Sequence, residues 1–329
     1  MKYTQLGRTG LKVSRLTLGT MNFGPFTNEP DSHSLMDTAL DAGVNYFDTA
    51  NVYGQGAGKG RTEEIIGTWF TQGGERRDKV VLATKVYGNM TADGEAVWPN
   101  HDRLSALNIR RAVEASLRRL QTDYIDVYQF HHIDRHTPFE EIWQAVDVLV
   151  QQGKILYAGS SNFPGYKIAQ ANEIAARRGT FGLVSEQCLY NLAARDAEME
   201  VLPAAQEYGL GVIPWSPLHG GLLGGALKKQ EGARRSGGRA AAELAKPEVR
   251  AQVQAYEDLV DKHGLEPGEV ALAWLLTRPG VTAPIVGPRT AEQLASALRA
   301  VDLELPRELL DSLDEIFPGP GPSPESFAW

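Results

Sequence analysis

The amino-acid sequence predicts a (β/α)8 barrel, on three observations. Eight short β-rich runs recur along the chain, several of them almost continuously apolar, as strands buried on both faces should be. Helical patterns stand between these runs, with no linker that would divide the chain. The rival for such alternation is an open doubly wound sheet, which should carry a glycine fingerprint after its first strand. "GTMNFGPF", after Leu18, does not fit G-x-G-x-x-G. A chain of 329 residues lies within the range of a single α/β barrel, so one domain over 1–329 is expected.

The elements follow in order. "KYTQLGRTGLKVSR" reads as two strands joined by a glycine turn, a hairpin over 1–14 that precedes the main domain. The eight runs are RLTLG (15–19), NYFDTA (45–50), VVLATKV (80–86), YIDVYQF (124–130), ILYAGSS (155–161), LVSEQC (183–188), GVIPWSP (211–217) and APIVG (283–287). Between Ser105 and Gln121, Ile109, Val113, Leu117 and Leu120 share one helical face, with arginines opposite. Thr137-Pro138-Phe139-Glu140 has the spacing of a capping box with proline at the first helical position, and Gly153 follows the helix end. Phe139, Ile142, Trp143, Val146 and Leu149 form that helix's apolar stripe. Thr290-Ala291-Glu292-Gln293 repeats the capping spacing.

One interval is out of proportion: Trp215 and Val286 lie 71 positions apart. Its first part, "LHGGLLGGALKKQEGARRSGGRAAAELAKP", is rich in glycine and basic residues and poor in apolar pattern. It reads as a mobile surface loop over 218–247: a lid or binding element at the barrel rim, or a disordered insertion. "VRAQVQAYEDLVDKHG" and "GEVALAWLLTRPG" then read as helices, and the tail 318–329 as irregular.

Composition narrows the partners. Lys and Arg number 33 against 41 Asp and Glu, a net charge of −8, which argues against a nucleic-acid partner. The one cysteine, Cys188, excludes an intrachain disulfide and suits a reducing compartment. No run approaches the length of a membrane span, and the N-terminus shows no apolar core of a signal peptide, so a cytoplasmic protein is expected. Oligomeric state is not legible.

In such a barrel the polar residues at the carboxyl ends of the strands face a common mouth. Those ends carry Asp48 with Tyr53 just beyond it, Lys85, His131, Ser161-Asn162, Gln187 and Trp215-Ser216. Each has a structural reading on its own: a turn cap, a rim ion pair, a core histidine, a packed tyrosine. Converging from several strand ends, they make chemical sense as a set. A phenol titrates near pH 10 in water, too high for easy proton exchange at neutral pH, and a nearby ammonium favours its ionised form. A carboxylate beside that lysine keeps it charged, and a histidine can hold a substrate oxygen. The set delivers a proton to an oxygen that gains negative charge, but it holds no nucleophile. His131 and His132 are adjacent, and strand alternation would point them apart, so no metal site is expected. A bound hydride donor fits the remaining need.

The segments "FDTANVYG", "LATK", "YQFHH", "GSSNF", "SEQCLYN", "IPWSPL" and "VGPRTAEQL" occur in the order of the signatures of the aldo-keto reductase superfamily, and the chain resembles that superfamily from Tyr3 to about Phe317. The resemblance implies a barrel with an N-terminal hairpin and NADPH-dependent reduction of a small-molecule carbonyl. It places a catalytic tetrad on Asp48, Tyr53, Lys85 and His131, with Tyr53 the general acid, Lys85 lowering its pKa and His131 orienting the carbonyl. It places the nicotinamide carboxamide on Ser161, Asn162 and Gln187, with further cofactor contacts at Gly19, Thr20, Met21 and Asp48. Trp215 falls where an aromatic ring stacks on the nicotinamide, and Ser216 and Leu218 fall on the pyrophosphate side. Gly287, Arg289 and Gln293 fall at the adenosine end. A helix N-terminus beside an arginine suits the 2′-phosphate of NADPH. The chain departs from the family's pattern at Ala297, where an asparagine commonly contacts adenine, and Gln293 also stands at the third position of a capping box.

Finer likeness, in "KVYGNM", "WPN" and "LGGALKK", points to an actinobacterial-type subgroup that includes NDP-hexose 2,3-enoyl reductases alongside general aldehyde reductases. The superfamily also contains potassium-channel β subunits, but the retained His131 and the lack of an extension resembling an inactivation peptide disfavour that role. Schiff-base chemistry on Lys85 is disfavoured by Asp48, which would hold the amine protonated. Phe23, Tyr87, Trp98 and Trp329 are candidates to line the substrate pocket, with rim packing the alternative for each. Lys228-Lys229 and Arg234-Arg235 read as a cofactor clasp or a solvated loop before a diphosphate site.

Overall fold

A computed structural model describes residues 1–55, 58–92, 94–231 and 239–321. The hairpin forms from β1 (Tyr3–Gln5) and β2 (Lys12–Ser14). Eight parallel strands follow: β3 (Thr17–Gly19), β4 (Tyr46–Asp48), β5 (Val81–Val86), β6 (Ile125–Phe130), β7 (Ile155–Ser161), β8 (Leu183–Gln187), β9 (Gly211–Val212) and β10 (Ile285–Val286). Each pairs with its neighbour in chain order, and β10 returns to β3. The remaining seam is closed by backbone bonds from Thr282 N–H to Val212 O (2.8 Å) and from Ile285 N–H to Pro214 O (2.9 Å). The sheet is therefore a barrel, as expected.

The helices lie outside it: α1 (Glu29–Asp41), α2 (Arg61–Phe70), α3 (Arg76–Lys79), α4 (Ala106–Leu120), α5 (Phe139–Gln151), α6 (Gly165–Arg177), α7 (Val201–Glu207), α8 (Ala226–Glu231), α9 (Arg239–Leu244), α10 (Pro247–Lys262), α11 (Pro267–Thr277), α12 (Ala291–Ala300) and α13 (Arg307–Ile316). The predicted apolar face of α4 is buried at Ile109, Val113, Leu117 and Leu120, and Ser105 caps the helix by accepting from Asn108 N–H. The stripe of α5 is buried throughout. Its start differs from the expected capping box: the Thr137 hydroxyl turns away to Asp134 (2.7 Å), and Pro138 precedes the first turn without a side-chain cap. Thr290 does cap α12, accepting from Gln293 N–H at 3.3 Å.

Strand alternation sorts the barrel interior into layers. Tyr46, Val81, Ala83, Val127, Val184, Ile213 and Ala283 form an apolar plug, sealed from below by Leu6 and Val13 of the hairpin. Two residues further along their strands, the same inward rows carry Asp48, Lys85 and Gln129, and Gln187 joins them from β8. The intervening residues, such as Phe47, Leu82 and Tyr128, face the helices in the main core.

Where the sequence predicts an irregular loop over 218–247, the described residues are partly helical. α8 and α9 flank residues 232–238, and Leu222, Leu227, Leu244 and Val253 form a small core of their own. The buried Glu257 carboxylate on α10 accepts from Leu227 N–H (2.9 Å) and Lys228 N–H (3.3 Å), fixing the start of α8. Three leucines, one valine and one distant acid carry this packing, too sparse a pattern to show in the sequence. Residues 318–321 form no regular element. Arg234, Arg235 and Trp329 lie outside the described residues. Among the described residues no helix is long and apolar enough to cross a membrane.

Candidate active site at the strand ends

The site begins with Asp48, the last residue of β4. Its carboxylate is buried and accepts three side-chain bonds. Lys85 Nζ approaches Oδ2 at 2.6 Å, while Gln129 Nε2 (2.9 Å) and Gln187 Nε2 (2.8 Å) share Oδ1. Lys85, fully buried, also donates to Thr49 O at 2.9 Å and to the Tyr53 hydroxyl at 3.2 Å. The turn between Thr49 and Tyr53 is held by Thr49 N–H to Ala83 O and Tyr53 N–H to Ala50 O, and it folds the phenol back over the lysine. The His131 ring meets the Tyr53 ring edge-on, with centroids 5.9 Å apart. The structure thus brings Asp48, Tyr53, Lys85 and His131 together from three consecutive strands.

The electrostatics refine the expectation. Burial acts to lower the Lys85 pKa, but Asp48 and Tyr53 outweigh it and the net displacement is upward, so the lysine is an ammonium. Burial raises the Tyr53 phenol, and Lys85 opposes without reversing it. Sequence reasoning expected Lys85 to leave the phenol below its ordinary value. In the protein alone, desolvation wins and Tyr53 is a neutral hydrogen-bond donor. Burial, then Lys85 and His132, push His131 down to about 2, so its imidazole is neutral at physiological pH.

His132 corrects a second expectation. β6 ends at Phe130, so strand alternation does not apply to the two histidines. Their rings stack in parallel, with centroids 4.8 Å apart and an interplanar angle of 2°, and Tyr87 meets His132 edge-on at 5.2 Å. Among the described residues no group of three or more His, Cys, Asp or Glu could hold a metal ion. Tyr87 is half-buried at this wall, and Trp98 stands 71% exposed on the loop before α4. Phe23 is corrected to core: its ring is fully buried, and its backbone oxygen accepts from Thr62.

The other predicted positions occupy the strand ends of β7 to β10 and the start of β3's loop. Ser161 Oγ donates to Gln187 O at 2.9 Å. Asn162 adopts a left-handed backbone (φ 59°) and links three segments. Its amide donates to His131 O (3.1 Å) and Ser161 Oγ (3.0 Å), and its oxygen accepts from Trp215 Nε1 (3.0 Å). Ser216, also left-handed (φ 56°), holds a tight turn by accepting from Gly220 N–H. Leu218 packs against the apolar cluster that contains Leu16 and Leu272. Ala297 is buried in that same cluster, facing inward.

At the far end, Arg289 lies over the Phe26 ring at 4.2 Å, with its Nε 3.4 Å from Asn22 Oδ1. Asn22 Nδ2 donates to Gly287 O at 2.7 Å, so the loop after β3 is tied to the start of α12. Gln293 Oε1 accepts from Arg289 N–H at 2.8 Å, so this side chain belongs to the cap. Gly19 packs closely on Ile285, Thr20 Oγ1 donates to Asp48 O at 2.9 Å, and Met21 is exposed beside them.

Sequence reasoning missed Gln129, Asn22 and Glu186. Gln129 had a legible trace, an amide on the inward row of an apolar strand. Asn22 had none, since its importance depends on a contact 265 positions away.

A parallel barrel with a buried polar cluster at its strand ends defines a class in which function is built on the loops. The chain belongs to the aldo/keto reductase family, whose model matches residues 15–317. It is 53% identical to an uncharacterized oxidoreductase, YrpG, of Bacillus subtilis (strain 168), over the full length of both chains. It is 34% identical to versiconal hemiacetal acetate reductase of Aspergillus parasiticus, covering 96% of each chain. It is 33% identical to a probable voltage-gated potassium channel subunit beta of Arabidopsis thaliana, over 99% of this chain and 100% of that one. Together the family and the first two of these relatives support an oxidoreductase enzyme of a family that uses nicotinamide cofactors.

Proposed function

We propose that the protein reduces the carbonyl of a small aldehyde, ketone or sugar at the expense of NADPH. The observation that carries this is the enclosed chain Asp48–Lys85–Tyr53 ending on a neutral phenol beside a neutral imidazole. That chain can give a proton and stabilise the resulting phenolate, but no side chain in it can give a hydride.

The donor set fits the cofactor. Amides of Asn162 and Gln187, the flat indole of Trp215, the Ser216 turn and the Arg289–Thr290 helix start lie on the consecutive strand ends of β7 to β10. The proton chain lies on β4 to β6, so the barrel mouth is divided into two halves. NADPH, when bound, supplies the hydride. Asn162 and Gln187 would hold its carboxamide, Trp215 would pack on its ring, and Arg289 with the α12 N-terminus would hold its 2′-phosphate.

The rest is done by the protein's own residues. His131, neutral and edge-on to Tyr53, donates a hydrogen bond to the carbonyl oxygen and fixes its direction. Tyr53 transfers its proton to that oxygen as negative charge develops on it. The phenolate left behind is stabilised by the Lys85 ammonium, which Asp48 holds in place through a 2.6 Å bond. Gln129 and Gln187 saturate the second Asp48 oxygen and prevent it from rotating.

Tyr53→Phe tests the proposal. NADPH should bind with near wild-type affinity while turnover of simple aldehydes, ketoses or nucleotide-linked 4-keto sugars falls by about 10²- to 10⁴-fold, the range for losing a positioned acid. Undiminished turnover in this variant would refute the assignment of the proton.

A further inference from the structure

Past an irregularity in the β7–β8 register, strand β8 presents Gln187 to the barrel interior and Glu186, the residue before it, to the opposite side. Glu186 is fully buried, and among the described residues no cation pairs with it. This sets it apart from the buried acids Asp48, Glu63 and Asp126, which face Lys85, Arg119 and Arg77. Its partners are instead parts of one turn. Ser160 Oγ donates to Oε2 at 2.5 Å, and Phe163 N–H donates to Oε1 at 3.1 Å. From the interior side, Gln187 O accepts from Asn162 N–H (3.0 Å) and from Ser161 Oγ (2.9 Å). Consecutive residues of β8 thus grip the segment 160–163 from both faces of the sheet.

That grip has an object. Asn162 sits between the held residues with φ 59°, a conformation that costs a non-glycine residue energy and persists when its surroundings impose it. In that conformation its side chain reaches His131 O and Trp215 Nε1 together. Phe163 is anchored separately in the core, stacked on Phe130 and tilted against Phe139, so Glu186 is not the turn's sole anchor. What Glu186 adds is direction: it fixes the N–H vector of the residue following Asn162.

We infer that Glu186 is a positioning residue for the nicotinamide end of the cofactor site, acting on Asn162 from the far side of the sheet through Ser160 and Phe163. The inference rests on the nicotinamide reading given above. Glutamine at this position can accept from Phe163 and donate to Ser160, so it should preserve the grip. Leucine has similar bulk and can do neither.

The test is a binding titration of the full-length protein with two ligands, NADPH and its adenosine-end fragment 2′,5′-ADP. Glu186→Leu should raise the NADPH Kd about tenfold, roughly 1.4 kcal/mol, and leave the 2′,5′-ADP Kd within about twofold. Glu186→Gln should match wild type for both ligands. Ser160→Ala should shift the NADPH Kd in the same direction by a smaller factor. A purely structural role would weaken both ligands alike, and that result overturns the inference, as does an unchanged NADPH Kd in Glu186→Leu. Should the leucine variant not fold, an unchanged NADPH Kd in Ser160→Ala overturns it instead. A folded wild-type protein that binds no NADPH refutes the nicotinamide reading itself, and the inference falls with it.

Discussion

Glu186 also makes a prediction about stability that needs no cofactor. Burial, opposed by the Ser160 and Phe163 bonds, pushes its carboxyl from 4.5 up to about 8. A raised folded-state pKa means that the folded protein holds this proton more tightly than the unfolded chain does. The contribution is fully present below pH 4.5 and is lost as the pH rises through about 8. Each pH unit in that window costs about 1.4 kcal/mol, so the whole loss is on the order of 5 kcal/mol. A barrel of this length has an unfolding entropy near 2.1 cal/mol/K per residue, so 1 kcal/mol corresponds to about 1.5 °C in Tm. Glu186→Gln mimics the protonated acid and cannot ionise. At pH 5 the two proteins should melt within about 2 °C of each other, and at pH 9 the variant should melt higher by about 5–8 °C. Differential scanning calorimetry at both pH values reads this directly, and every other titrating group is common to the pair. Parallel Tm profiles from pH 5 to 9 would show that the Glu186 carboxyl ionises normally and refute the reasoning.

Asp48→Asn places an amide N–H₂ against an ammonium, or loses both glutamine contacts if the amide turns over. It should lower stability by about 3–5 kcal/mol, as breaking a buried pair does, and reduce turnover at least about 100-fold, read by thermal melts and steady-state kinetics. Because His131 is held down near 2 by burial, Lys85 and His132, its ring should show no titration between pH 5 and 8 in a ¹H–¹⁵N imidazole spectrum. A step near pH 6.5 would contradict the enclosed site. Gly67→Ala, in α2, should destabilise by about 1–3 kcal/mol, because the added Cβ would lie 2.2 Å from Arg119 O and 2.9 Å from the Leu120 carbonyl carbon on α4. Urea denaturation measures this, and a neutral outcome would mean that the two helices separate freely.

How much of this was legible in the sequence divides along physical lines. The barrel was legible because short apolar runs and period-3.6 helices leave their marks within a dozen residues. The strand-end side chains from Asp48 to Ser216 were legible for a related reason, since a polar residue closing an apolar run is a local anomaly. The fate of the Tyr53 proton was not. Its sign depends on whether Lys85 or desolvation dominates, and desolvation is set by how the whole mouth packs. The parallel histidine rings were misread because β6 stops at Phe130, one residue before alternation would have separated them. Asn22 was invisible because its partners, Gly287 and Arg289, are brought to it only when β10 returns to β3.

Gln187 shows why the two halves of the mouth cannot be treated as independent. One residue donates to Asp48 Oδ1, inside the proton chain, and supplies its backbone oxygen to Ser161 and Asn162, inside the proposed cofactor cradle. Its neighbour Glu186 holds the same cradle from behind. A displacement of β8 along its axis would therefore move the anchor of Lys85 and the grip on Asn162 together. Asn162 would carry that displacement to His131 and to Trp215. The proposed proton donor, the imidazole proposed to orient the carbonyl and the surface that would carry the nicotinamide are thus referenced to one strand. That is what hydride and proton delivery to two atoms of one carbonyl requires, since an error of about 1 Å in either position is enough to cost two orders of magnitude in rate.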